Sequence, residues 1–92
     1  MNNLTRQQEK FFELISKHPD IAKLWSIESR TVDIKAYRRA IKKMNYSDAV
    51  IAKFFFSVWN NASYFVDIAD LALLDAKSRT IITKWLKTPF WP

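Results

Sequence analysis

The chain has 92 residues, with neither glycine nor cysteine, and 15 Lys/Arg against nine Asp/Glu give it a net charge of +6. Lacking cysteine it has no disulfide framework and no thiolate chemistry, and lacking glycine it has no phosphate-cradling loop of the dinucleotide or P-loop kind. Hydrophobic residues make up 49% of the chain, including seven Phe, four Trp and three Tyr, which argues for one folded domain over residues 1–92 rather than a disordered segment.

The N-terminal stretch MNNLTRQQEK carries no basic region followed by an apolar one, so no secretory leader is expected. No apolar run reaches the roughly 18–20 residues needed to span a bilayer, and a soluble cytoplasmic protein is the default expectation. Three Asn-x-Ser/Thr triplets, at Asn3, Asn45 and Asn61, read as helix punctuation rather than glycosylation sites.

Helical spacing runs nearly throughout. Thr5 with Gln8 three residues on forms a capping box for a first helix to about His18, with an apolar stripe of Leu4, Phe11 and Ile15. Glu13 and Lys17 within it have the spacing and order of a favourable ion pair. Pro19 is placed to stop that helix and start a short second one through Trp25. The segment SIESRT reads as a loop offering Ser29 or Thr31 as a cap.

The third helix, about Asp33 to Met44, repeats Ile34, Tyr37, Ile41 and Met44 on one face. Asn45 is expected as its left-handed stop and Ser47 as the cap of the fourth helix, which Asn60-Asn61 would end. Ser63 or Asn61 would open a fifth helix over roughly 64–74. Asp75 would cap a sixth ending near Lys87, where Thr88 precedes a proline. With no glycine to serve hairpins, the expected fold is all-α: a compact irregular bundle of five or six short helices.

The fourth helix, about 47–60, should be central. At about 100° per residue its apolar side chains cover about 240° of its circumference. A surface helix needs little more than 100°. Either the other helices surround it or one face awaits a partner, and Phe56, Trp59, Phe90 and Trp91 are the candidate apolar docking residues.

Lys35, Arg38, Arg39, Lys42 and Lys43 lie opposite the apolar face of the third helix. Residues 1–44 hold ten basic against five acidic side chains, a net of +5, and residues 45–92 hold five against four, a net of +1. That stripe can be a solvated face, a surface for an acidic protein, a phosphate track or, least favoured, a contact for an anionic membrane. Helices three and four have the spacing of a helix-turn-helix, but a recognition helix rich in Phe and Val is poorly suited to reading base edges.

His18, the only histidine, suits a packing or helix-end role. Asp67 and Asp70 share a helix face and could act as acid and base or hold a hard cation, although a solvated face explains them as well. No nucleophile–base pair, metal-ligand set or cofactor motif is apparent. The leading expectation is a non-enzymatic protein–protein interaction module, an adaptor or regulator, whose partner could be a second copy of the chain. The alternative is a nucleic-acid-binding regulator using the basic stripe. Neither a membrane nor a cofactor is expected.

Overall fold

The computed structural model describes residues 4–61 and 68–92. Over these the chain runs α1 (Arg6–Ile15), α2 (Pro19–Ala22), β1 (Trp25–Ser26), β2 (Thr31–Val32), α3 (Ile34–Lys43), α4 (Tyr46–Asn60), α5 (Ile68–Ala72) and α6 (Ala76–Lys87). The fold is a small, mostly helical bundle with a radius of gyration of 12.6 Å, close to the roughly 12 Å of a compact chain this long. No helix of the described residues is long and apolar enough to cross a membrane.

Short polar side chains start four of the helices by accepting an N–H that would otherwise lack a partner. Thr5 Oγ1 accepts from Gln8 N at 3.1 Å while Gln8 Oε1 accepts from Thr5 N at 3.0 Å, closing the capping box. Asp33 Oδ1 accepts from Ala36 N at 3.0 Å, Asn45 Oδ1 from Asp48 N at 2.9 Å and Asp75 Oδ1 from Ser78 N at 2.8 Å. The Ser78 N–H holds the Asp75 carboxyl below its ordinary value. Pro19 occupies the first position of α2. α6 ends at Lys87, directly before the Thr88-Pro89 step.

Several boundaries differ from the expectation. Asn45 is not a left-handed stop. It sits at φ −64°, ψ 167° as the cap of α4, and Ser47 lies inside the helix, where its hydroxyl accepts from Asp75 N at 3.4 Å. An Asn just ahead of the first turn reaches the third helical N–H one way or the other, so α4 begins two residues earlier than a Ser47 cap would allow. α1 ends at Ile15 rather than His18, whose backbone (φ −127°, ψ 81°) is extended by the proline that follows. Lys17 therefore lies two residues beyond the end of the helix. Asn61 takes the left-handed conformation, φ 51°, ψ 46°, and ends α4. Ser63, the expected start of the fifth helix and Asp67 lie outside the described residues.

SIESRT is not an open loop. It runs from the last residue of the first strand through the turn to the first residue of the second, in a two-stranded antiparallel hairpin pairing Trp25 with Val32 and Ser26 with Thr31. Arg30, at φ 54°, makes the left-handed residue of that turn. Neither Ser29 nor Thr31 caps α3. Their hydroxyls lie 2.7 Å apart within the turn, and Asp33 supplies the cap.

α4 is the centre. Val50, Ile51, Ala52, Phe55, Phe56 and Val58 are all buried, and the helix packs against α3 and α6. Phe11 of α1, fully buried, stands edge-on to Phe55 at 6.4 Å and tilted against Trp25 at 5.4 Å and Trp59 at 5.0 Å. Tyr37 of α3 stacks on Phe56 at 4.2 Å, and Trp85 of α6 meets Phe54 edge-on at 5.5 Å. Aromatic pairs of this kind contribute about 0.5–1.5 kcal/mol each beyond the area they bury.

Candidate functional site

α3 is built with two unlike faces. Tyr37 is buried, with Ala36, Ala40, Ile41 and Met44 half-buried against the core. Lys35, Arg38, Arg39, Lys42 and Lys43 are all exposed. At 100° per residue the five cations fall within an arc of about 140°. Lys42 and Lys43 also lie in the last turn, where the helix dipole favours positive charge. Ile34 departs from its assigned face, being 48% exposed at the edge of the stripe.

Between α3 and α4 runs a groove of about 570 Å³. The stacked Tyr37–Phe56 pair forms its floor, Ile34 and Ile41 its apolar wall, and Arg38, Lys53 and Asn60 its rim. Asn60 Nδ2 donates to Phe56 O at 2.7 Å and Ser57 Oγ to Lys53 O at 2.8 Å, so the polar edge of α4 satisfies itself locally. Every charged group lining the groove is a cation.

The four expected apolar docking residues do not make one surface. Phe56 is 6% exposed and stacked on Tyr37. Trp59 is half-buried against Phe11 and Phe12. Phe90 is half-buried, and its carbonyl accepts from Trp85 Nε1 at 3.0 Å. Trp91, 49% exposed beside Trp85 at 5.2 Å, keeps a large free surface. Sequence patterning finds apolar side chains on a helix but does not say which neighbour arrives to cover them.

The helix in the recognition position of a helix-turn-helix, α4, is the buried core of the fold. His18 packs edge-on to Phe55 at 6.2 Å. Burial first, and Lys77 second, push its pKa below 6.5, so the imidazole favours its neutral form rather than serving a helix end as a cation. Asp70 accepts a hydrogen bond from the Tyr46 hydroxyl, which ties α5 to the start of α4. Among the described residues no three His, Cys, Asp or Glu side chains gather to hold a metal.

A second concave region lies where α1, α6 and the C-terminal tail meet, lined by lysines from both helices around Trp85 and Phe90. Sequence reasoning missed it, since its cations come from segments about 70 residues apart. Only the i, i+3 spacing of Lys84 and Lys87 hinted that this pair shares a face.

The chain matches no protein-family model, no curated protein and no solved structure.

Proposed function

We propose that the protein is a small non-enzymatic interaction module of the cytoplasm that receives an acidic amphipathic helix of another protein in the α3–α4 groove. The observation that carries this reading is an apolar groove floored by a stacked aromatic pair, whose only charged rim groups are the cations Arg38 and Lys53. Helix-in-groove recognition places i, i+3, i+4 apolar anchors on such a floor, while rim charges steer the encounter and select the partner's sign. Carboxylates on the incoming helix would face Arg38 and Lys53, with Lys35 and Lys42 beside them on α3.

The test is affinity purification from the native host, with and without nuclease, comparing the wild-type chain with the charge-reversed pair Arg38→Glu and Lys42→Glu. A protein that survives nuclease and is lost from the double variant supports the module. A protein retained equally by both would remove the groove from the proposal.

The alternative is a nucleic-acid-binding regulator, favoured by the five exposed cations within one arc of α3. If each met a phosphate, duplex DNA affinity would follow a log–log salt slope of about −4.5. Arg38→Ala with Arg39→Ala would flatten that slope by about two units. Loss of every partner on nuclease treatment would favour this reading.

A further inference from the structure

The C-terminal cleft, of about 460 Å³, combines two features that the α3 stripe does not. Lys10 and Lys17 come from the α1 side and Lys84 and Lys87 from α6, with Glu13 the one carboxylate lining it. Its net charge is therefore +3 over a span the width of two helices. Between the lysines stand aromatic rings. Trp85 is held from the core side by Phe54 and through its indole N–H by the Phe90 carbonyl. Phe90 packs back against Trp85 at 6.5 Å, with the Lys10 ammonium 6.0 Å from its ring centre. Trp91 stands nearly perpendicular to Trp85, at 81°, and is half in solvent.

The tail thus sets Phe90 among the cations and Trp91 at the edge of the cleft, against Trp85 rather than in the cleft lining. An acidic peptide would use the lysines, but the carboxylate side chains that meet them carry no ring for the Trp91 indole. Duplex DNA offers phosphates, but its bases are stacked away inside. A single strand supplies both, since its phosphates meet the lysines and an unstacked base has a π-face for the indole.

We propose that this cleft binds single-stranded nucleic acid, with Lys10, Lys17, Lys84 and Lys87 neutralising backbone phosphates and Trp91 stacking on a base. The site is separate from the α3–α4 groove. Phe54 supports the cleft and Phe56 the groove, and two residues along a helix turn the side chain by about 200°. The two surfaces therefore lie on opposite sides of α4, and binding here does not depend on what α3 contacts. Sequence preference would be weak, because every base can stack.

The experiment is a fluorescence anisotropy titration of a labelled oligothymidylate of about ten nucleotides, within the usual site size of about 4–16, with folding of each variant checked by far-UV circular dichroism. Four phosphate contacts predict a log–log salt slope of about −2.8, reduced to about −1.4 in Lys84→Ala with Lys87→Ala. Trp91→Ala should weaken binding by about 5- to 150-fold, the range that loss of one stacked base implies. Arg38→Ala with Arg39→Ala should leave the affinity within about twofold of wild type. No binding at about 50 mM salt would overturn the proposal. So would an affinity that responds to the α3 pair but not to Trp91 or the cleft lysines. Polyglutamate bound as tightly and with the same dependence on Trp91 would reassign the cleft to acidic peptides.

Discussion

Arg30 occupies a conformation that a side chain with a β-carbon resists. Its φ of 54° costs about 1–2 kcal/mol relative to right-handed backbone, and the side chain, exposed at the hairpin tip, recovers none of this by packing. Arg30→Gly should therefore raise stability by about 0.5–1 kcal/mol, since glycine removes the steric cost but adds chain entropy to the unfolded state. A shift of the urea midpoint to lower concentration would show that the guanidinium makes a compensating contact. Asn61, with φ 51°, meets the same demand with a residue that tolerates it. His18 gives a pH dependence of definite sign. Its folded pKa lies below 6.5 because burial and Lys77 disfavour the imidazolium, against weaker opposing pulls from Asp48 and Asp75. As pH falls through 6.5 the unfolded chain takes up the proton first, so stability drops across a window just below 6.5 and levels off below the folded value. Urea midpoints measured between about pH 7.5 and pH 5 should show this step, and His18→Gln should remove it.

α4 shows which properties of an element its own residues determine. Its apolar arc of about 240° is wider than any single neighbour can cover, and the structure covers it from three directions: Phe11 of α1, Tyr37 of α3 and Trp85 of α6. Phe55, fully buried on the α1 side, should cost about 3–5 kcal/mol when truncated to Ala. A loss below about 1 kcal/mol in equilibrium unfolding would mean that the ring is not enclosed as described. The helical class, the central position of α4, the capping box at Thr5, the Asp75 cap and the stop before Pro89 were all legible, the first two from apolar spacing within single segments and the last three from residues within one turn of the feature. The hairpin was not. Its strands are two residues long, too short for alternation to register, and its left-handed position is filled by Arg rather than by Asn, Asp or Gly. The basic face of α3 was legible for the same local reason that its helix was. The C-terminal cleft was hidden because its two pairs of lysines meet only after α1 and α6 have packed, and no periodicity within either helix reports that meeting.

For the molecule as a whole, the small core has a consequence for how its two charged surfaces influence each other. One helix about 10–12 Å across with side chains separates the α3–α4 groove from the C-terminal cleft, and the interior between them is packed aromatic side chains. Mechanical coupling needs an element with two states whose balance both sites bias. Direct electrostatic coupling needs only proximity. An anionic ligand on one side lowers the positive potential that the chain's +6 charge presents on the other, so occupancy of either surface should weaken the other. The size of the effect follows the screening length, about 8 Å at 0.15 M salt and about 30 Å at 0.01 M. Oligothymidylate titrated into protein saturated with an acidic helical peptide should bind within about twofold of its affinity for free protein at 0.15 M salt, where the separation exceeds the screening length. At 0.01 M the same peptide should reduce oligonucleotide affinity by more than that, and by linkage the oligonucleotide should reduce peptide affinity by the same factor. Strong coupling that persists at 0.15 M would require a conformational change through α4, or a single surface shared by both ligands. Phe54→Leu and Phe56→Leu separate those two explanations. Altering either side of α4 would change coupling transmitted through the helix and leave competition for one shared surface intact.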